Sequence, residues 1–147
     1  MSEMNEKRPK SAYKHVVDVP TRWMDNDIYG HVNNVNYYSY FDTAVNGFLI
    51  KGGALDIHDG PVIGLVVETN CKYFGPLAFP DTVKAGIGVS KIGNSSVRYE
   101  IGLFKENENE PVAQGYFVHV YVDRATRRPT SLPDELNSLL ETILLSD

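Results

Sequence analysis

The sequence is poor in cysteine and lacks long apolar runs. Cys71 is the single cysteine among 147 residues, so no internal disulfide can form, and we expect a reducing, cytoplasmic compartment. No apolar run reaches the ~18 residues that a membrane-spanning helix needs. The polar stretch from Met1 to Ser11 contains no apolar segment of the kind found in signal peptides. These absences predict a chain without a membrane span.

Motifs that bind metals or nucleotide phosphates are also missing. There are no paired cysteines and no HExxH motif, and we predict no metal site and no bound cofactor. The sequence contains no P-loop and no GxGxxG segment. The formal net charge is -5, which argues against a nucleic-acid partner.

What the sequence does have is a polar loop that precedes a long amphipathic segment. Asp25 and Asp27 stand two residues apart, and Gly30 and His31 follow them. Two asparagines come next, and the amphipathic segment then begins. Carboxylates, an imidazole and a helix N-terminus within about ten residues are typical of a place where negative charge is handled.

The hydrophobic pattern predicts one long helix, five strands and a short last helix. Apolar residues recur at three- and four-residue steps over residues 35–51, which favours a helix capped by Asn33 or Asn34 and ended by Gly52 and Gly53. Strict alternation over residues 61–73 would place Ile63, Leu65, Val67, Thr69, Cys71 and Tyr73 on one face. The other predicted strands cover residues 13–23, 83–89, 97–103 and 112–122, and the last helix begins near residue 133.

This order of elements predicts an α+β fold. Strands joined by short turns form an antiparallel sheet, and about five of them can wrap around one long central helix with a broad apolar stripe. Pro20 predicts that the first strand lies at a sheet edge or a bulge. The fifth strand is apolar on both faces and is expected inside the sheet. We predict one domain over residues 13–147, preceded by a flexible arm over residues 1–12.

The run DNDIYGHVNNVNY at residues 25–37 resembles the hotdog-fold acyl-CoA thioesterases of the 4-hydroxybenzoyl-CoA thioesterase family. The segments YFGPL at residues 73–77 and KIGNSS at residues 91–96 are also similar to segments of that family. The resemblance covers about residues 13–135. It implies a homodimer with two sites at its interface, and such dimers often pair into tetramers.

The resemblance implies hydrolysis of an acyl-CoA to a carboxylic acid and coenzyme A, which is part of the substrate and not a cofactor. It places the catalytic carboxylate at Asp27, as nucleophile or as general base, and the oxyanion donor at the backbone N–H of Asn34. A preorganised N–H at a helix N-terminus suits the oxyanion of acyl transfer. His31 is a further candidate catalytic residue, which would orient Asp27 or contact the thioester.

Candidate substrate-binding residues fall into two groups. The first group would contact the acyl part of the substrate beside the start of the long helix, and it contains Asn33, Tyr37, Tyr38 and Thr69. The phosphates of coenzyme A would need surface cations, and the candidates are Lys91 and Arg98, which flank the Gly93–Asn94 turn, and Arg124, Arg127 and Arg128 in the last loop. Ser96, beside the same turn, is a further candidate substrate-binding residue.

Other interpretations remain open from the residues alone. Asp27 could alternatively be only a turn residue, since aspartate is favoured in Asx-turns. Asp25 is predicted to be structural and to bond loop N–H groups, and His119 to be a hydrogen-bonded histidine of the sheet. A hydratase or dehydratase on the same fold, with an acid/base pair, and a non-catalytic acyl-CoA-binding domain are the alternative functions.

Overall fold

The computed structural model describes residues 7–54 and 60–146. They form a five-stranded antiparallel sheet, one long helix and a short last helix. The elements in chain order are β1 (His15–Pro20), α1 (Asn34–Lys51), β2 (Val62–Tyr73), β3 (Thr82–Ile92), β4 (Ser96–Lys105), β5 (Ala113–Asp123) and α2 (Asp134–Glu141). This is the predicted order, with element bounds that differ by a few residues. No helix among the described residues is long and apolar enough to cross a membrane.

Helix α1 begins and ends where its capping residues predict. The side chain of Asn33 accepts a hydrogen bond from the N–H of Val35, which satisfies one of the free donors of the first turn. At the other end Gly52 caps the helix, and Gly53 follows with a φ of 73°. A left-handed residue after a helix is a common stop, and glycine adopts it without a steric cost.

The strands are ordered β1-β3-β4-β5-β2, and every neighbouring pair is antiparallel. Strand β1, which ends at Pro20, is an edge strand, as predicted from that proline. Strand β5 lies between β4 and β2, inside the sheet, as its apolar residues on both faces predict. Strand β2 is the opposite edge and has no partner on its outer side among the described residues.

The core lies between α1 and the face of the sheet that turns toward it. Phe41 and Val45 of the helix are fully buried, and the ring of Phe41 meets the ring of Phe117 of β5 at 5.7 Å. The central strands contribute alternate residues to this core; on β4 these are Val97, Tyr99, Ile101 and Leu103. Burying an aliphatic or aromatic side chain contributes roughly 1.5–3 kcal/mol, so this layer is the main source of stability.

One part of the predicted strand pattern is wrong. A β-bulge between Val66 and Glu68 shifts the register of β2 against β5. Val66 pairs with His119 and Thr69 with Phe117, so the residues facing α1 change from even to odd numbers at the bulge. Thr69, Cys71 and Tyr73 therefore face the helix, whereas Ile63 and Leu65 face away from it. An extra residue in one strand reverses the alternation of the side chains. The prediction assumed a strict period of two and therefore missed this reversal.

The opposite face of the sheet is covered in part by the segment before β1 and by Leu145, which lies against Gly88. The ring of Tyr13 is buried over Gly86 and contacts Phe104. Within the predicted flexible arm, residues 7–12 lie against the sheet, and the N–H of Arg8 donates to Gln114 at 2.7 Å. Residues 1–6 of that arm lie outside the described residues.

Helix α2 closes the end of the core beside α1. Leu136 and Leu140 are buried, and Leu139 lies against Gly52. The helix ends at Glu141, although the apolar spacing of the sequence continues through Ile143 and Leu144. The next residues instead pair with β3: Val89 donates to the carbonyl of Ile143, and the N–H of Leu145 donates back to Val89.

The prediction that His119 is a hydrogen-bonded sheet histidine is wrong at one ring nitrogen. His119 is 4% exposed, and its Nε2 is buried without a partner among the described residues. The ring is surrounded by aromatic side chains: it stacks on Phe117 and meets the edge of Tyr99. Aromatic packing therefore replaces the expected hydrogen bond, and burial lowers the pKa of His119 to about 4.

We expect His119 to make folding stability depend on pH. In the unfolded chain its pKa is about 6.5, so between about pH 4 and pH 6.5 the unfolded state binds more protons and the free energy of unfolding rises with pH. The rise is about 3 kcal/mol over this window. Urea unfolding at a series of pH values measures it. His119→Phe should flatten the rise, whereas His31→Asn, at an exposed position, should not. An unchanged rise in His119→Phe contradicts the assignment.

Candidate functional site

The loop between β1 and α1 is held in shape by its own backbone. The N–H of Asp27 donates to the carbonyl of His31 at 2.8 Å, and the N–H of Gly30 donates to the carbonyl of Asp27 at 3.1 Å. Gly30 has a φ of 80°, which a residue with a Cβ rarely adopts. The N–H of Val32 then donates to Leu77 at 2.7 Å, which fixes the loop to the segment before β3.

Asp25 is a structural carboxylate, as predicted, and the structure shows that it is also buried. It is 1% exposed and accepts hydrogen bonds from the N–H and the guanidinium of Arg22 and from the hydroxyl of Tyr40, the last at 2.7 Å. Burial alone would raise the pKa of Asp25, but the hydrogen bonds from Tyr40 and Arg22 outweigh it and lower that pKa. Its carbonyl accepts from Asn33 and Asn36, so Asp25 ties the loop to the start of α1.

Removing the Tyr40 hydroxyl is expected to destabilise this anchor. Tyr40→Phe leaves a buried carboxylate short of one donor, and the expected loss is about 2 kcal/mol in the free energy of unfolding at neutral pH. Because the pKa of Asp25 is lowered in the folded state, its stabilisation is present above the unfolded pKa and disappears as the pH falls through the folded pKa. The difference between Tyr40→Phe and wild type should therefore shrink below about pH 4.

Urea unfolding of the two proteins at neutral and acidic pH measures this difference. Tyr29→Phe removes the same atom from a side chain that is 79% exposed and serves as the control, with no expected loss. Equal stability of Tyr40→Phe and the control at neutral pH contradicts the prediction.

Asp27 has a different environment from Asp25. Its side chain is partly exposed, and its Oδ1 accepts the N–H of Tyr29 at 2.8 Å. The Asx-turn interpretation of Asp27 is therefore correct for this oxygen. Its Oδ2 has no hydrogen-bond partner among the residues that the structure describes. One carboxylate oxygen is thus held in place while the other is free to meet a substrate or a water molecule.

The first turn of α1 follows the loop directly. The N–H of Asn33 donates to Asp25, and that of Asn36 donates to Asn33. The N–H of Asn34 belongs to the set of first-turn donors that have no acceptor within a helix, and no loop carbonyl among the described residues accepts it. A free donor at the positive end of a helix can bind an anion.

His31 lies in the same loop, and its side chain is exposed. Its carbonyl accepts the N–H of Asp27, but no hydrogen bond joins its imidazole ring to Asp27 or to another described side chain. Within the described parts of the chain, no group of three or more histidine, cysteine, aspartate or glutamate side chains is arranged to hold a metal ion.

Aromatic side chains surround the start of α1. Tyr37 is buried and meets the ring of Tyr73 at 4.9 Å, and the hydroxyl of Tyr73 donates to the carbonyl of Asn34 at 3.3 Å. Tyr38 is half-buried against Phe41. Thr69 faces the same side of the sheet, where its hydroxyl donates to the carbonyl of Tyr116.

Cys71 lies beside these rings on the helix-facing side of β2. Burial raises the pKa of the Cys71 thiol to about 11, so the thiol stays protonated near neutral pH. A protonated thiol is a poor nucleophile, which argues against a catalytic role for Cys71.

The structure places the candidate phosphate-binding residues away from Asp27 within one chain. Strand β2 ends at Tyr73, whose hydroxyl contacts Asn34 beside the Asp27 loop. At the other end of β2, the N–H of Arg124 in the last loop donates to the carbonyl of Pro61. The twelve residues of β2 separate these ends by about 36 Å. Arg128 lies in that loop, Ser96 begins β4 at the same end, and Arg98 points to the face of the sheet opposite α1.

Two residues of the site region were not predicted as such. Asn26 accepts the N–H of Phe79 with its side chain, and Asn36 donates from its side chain to the carbonyl of Asp25. Both fix the loop that carries Asp27. The density of asparagines around residues 26–36 is the signal in the sequence, since short amides bond nearby backbone groups.

A sheet that wraps one long helix, with a carboxylate loop at the helix start, is the hotdog architecture of thioester hydrolases. The family model of the thioesterase-like superfamily matches residues 19–140. The chain belongs to this superfamily and is a thioester hydrolase. This confirms the predicted fold and class of enzyme.

Solved structures show the same fold. The PA5185 protein of Pseudomonas aeruginosa strain PAO1 is 51% identical, with a TM-score of 0.93, over 96% of this chain and 99% of that one. The PA2801 protein of Pseudomonas aeruginosa, whose given name includes the word thioesterase, is 28% identical, with a TM-score of 0.80, over 86% and 97% of the two chains. The DHNA-CoA thioesterase of Staphylococcus aureus is 21% identical, with a TM-score of 0.75, over 86% of each chain, and that likeness concerns the fold.

Proposed function

We propose that the protein hydrolyses an acyl-CoA to a carboxylic acid and coenzyme A, with Asp27 as the catalytic carboxylate and the N–H of Asn34 as the oxyanion donor. The observation that carries this proposal is the Asp27 carboxylate, which has one oxygen bonded to the loop and one without a partner among the described residues. Its loop leads directly to the N–H of Asn34 at the helix N-terminus, which the described residues also leave without an acceptor. The superfamily supports the thioester as the bond that is cleaved.

Two reaction routes fit this geometry. As a nucleophile, Asp27 attacks the thioester carbonyl and expels the thiolate of coenzyme A, and water then hydrolyses the mixed anhydride. As a general base, Asp27 takes a proton from the water that attacks the carbonyl. In both routes the carbonyl oxygen becomes an oxyanion, which the N–H of Asn34 and the helix dipole stabilise. His31 then has a positioning or thioester-contacting role.

The functional unit in this proposal is a homodimer that pairs the β2 edges of two copies. Val66 and Val67, at the middle of this edge, are 48% and 60% exposed. Beside Asp27, Trp23 and Ile28 are 75% and 92% exposed. An unpaired edge of twelve residues together with exposed apolar side chains is typical of a surface that a partner covers.

A two-fold pairing of β2 would also complete the site. The middle of β2 falls between Val67 and Glu68, so two copies paired there in antiparallel fashion place the end of one strand beside the start of the other. The Arg128 loop of one copy then comes to the Asp27 end of its partner, so that both could meet one substrate. The family resemblance further implies that such dimers pair into tetramers.

Thiol release from a panel of acyl-CoAs tests the activity. The panel contains short, medium, long and aromatic acyl groups, because the depth of the acyl pocket depends on the partner. We expect release of coenzyme A from at least one member. Hydration of an enoyl-CoA without thiol release would support the hydratase instead, and binding without turnover would support a binding domain.

A further inference from the structure

A groove of about 380 Å³ lies on the face of the sheet that points away from α1. It is separate from the loop of Asp27, which lies at the helix start. Four cationic side chains line it together with one carboxylate; they are Arg8, Lys72, Lys91, Arg98 and Glu100. The chain as a whole has a formal net charge of -5, so the groove reverses the sign of the charge locally.

Glu100 is a buried carboxylate that holds the arginine side chains of the groove in place. Its side chain is 5% exposed, and one carboxylate oxygen accepts hydrogen bonds from the Ser90 hydroxyl and the Arg98 Nε, each at 2.6 Å. The other oxygen accepts the guanidinium of Arg8 at 3.3 Å. Because both oxygens are occupied by donors, this carboxylate positions the two arginines and is shielded from a ligand above them.

The guanidinium of Arg98 is held on two sides. Its Nε donates to Glu100, and its Cζ lies 3.8 Å from the ring centre of Tyr116. The hydroxyl of Tyr116 donates to Glu68, which fixes the ring. The two terminal nitrogens of Arg98 have no hydrogen-bond partner among the described residues, so a planar pair of donors is preorganised toward the groove.

Lys91 stands directly beside this arginine. Lys91 and Arg98 are paired in the register of β3 and β4, and the ammonium of Lys91 is exposed without a partner in the described parts of the chain. Like charges opposite each other on neighbouring strands destabilise a sheet. A bound anion between them would remove that repulsion.

We propose that this groove binds a diphosphate group. Arg98 offers a bidentate fork to one phosphate, and Lys91 offers a point charge to the next, while Arg8 extends the positive surface. The volume of the groove is within the range of small-molecule sites. The diphosphate belongs either to the nucleotide of coenzyme A or to a separate phosphorylated compound. The proposal does not depend on the thioesterase reaction, because binding is measured without turnover.

Calorimetric titration of the full chain with inorganic pyrophosphate at low ionic strength tests the proposal. We expect saturable binding that Arg98→Gln weakens at least about tenfold, since hydrogen bonds between charged groups are removed. Arg98→Lys keeps the charge, loses the fork and should also bind more weakly. Lys91→Gln removes a side chain that makes no hydrogen bond to the described residues, so it keeps the test valid if Arg98→Gln folds poorly. Lys105→Gln makes the same charge change outside the groove and should bind like wild type.

The outcomes separate the two sources of the diphosphate. If coenzyme A displaces pyrophosphate and Arg98→Gln raises KM for acyl-CoA more than it lowers kcat, the groove holds the nucleotide of the substrate. If coenzyme A does not compete, the groove binds a separate phosphorylated compound. Absence of pyrophosphate binding to wild type, or an equal loss of affinity in Lys105→Gln, overturns the proposal even if the thioesterase activity is present.

Discussion

Asp27→Asn is expected to lower kcat for thiol release by at least about a hundredfold. The amide keeps the size of the side chain and can still accept the N–H of Tyr29. It can neither attack a carbonyl as a carboxylate nor accept a proton from water, and general-base catalysis alone contributes about 10²–10⁴-fold. Because Asp27 is partly exposed, little change in stability is expected. Initial rates with the best acyl-CoA of the panel measure the effect.

Two controls make this result specific. Asp134→Asn neutralises a carboxylate in the first turn of α2, far along the chain from the loop, and should leave kcat unchanged. Asn33→Ala removes the side-chain cap of α1 and is expected to cost about 1 kcal/mol of stability with a smaller loss of kcat. If Asp27→Asn retains the rate of wild type, Asp27 is not catalytic, and His31 becomes the next residue to replace.

Val67→Asp is expected to convert the protein into a folded monomer with at least about tenfold lower turnover. Val67 is 60% exposed at the middle of the β2 edge, so the substitution does not disturb the core. In a two-fold pairing of this edge, two carboxylates would face each other close to the symmetry axis, and like charges opposite each other destabilise the pairing. The monomer would lack the Arg128 loop of its partner at each site.

Light scattering during size-exclusion chromatography measures the mass, and thiol release measures turnover on the same samples. Val16→Asp is the matched control, because Val16 is 39% exposed on β1, the other edge strand. It should remain a dimer with normal turnover. A wild-type protein that is monomeric and fully active, or a Val67→Asp variant that remains dimeric, contradicts the proposed β2 interface.

The order and type of the elements could be predicted because the strongest local signals agree with the fold. The period of α1, its Asn33 cap and its Gly52–Gly53 end are local features, and the structure follows them. Pro20 predicted an edge strand because proline lacks the N–H that an inner strand needs. Asp25 and Asp27 could be distinguished only in part, since an aspartate at either position also suits a turn.

The remaining features depend on contacts between distant parts of the chain. The bulge in β2 arises from its pairing with β5, and no residue of β2 by itself signals it. Burial of Asp25 requires Tyr40, fifteen residues further along, and the missing hydrogen bond of His119 follows from the rings that pack around it. The groove around Glu100 joins the N-terminal segment to strands β3, β4 and β5.

The element order, the helix caps and the loop that carries Asp27 follow from local signals, because hydrophobic period, capping and turn chemistry act over a few neighbouring residues. Tertiary contacts instead set which aspartate is buried, which face each half of β2 presents, and that Arg98 points away from α1. These properties follow from strand register and burial, which bring together residues far apart in the chain.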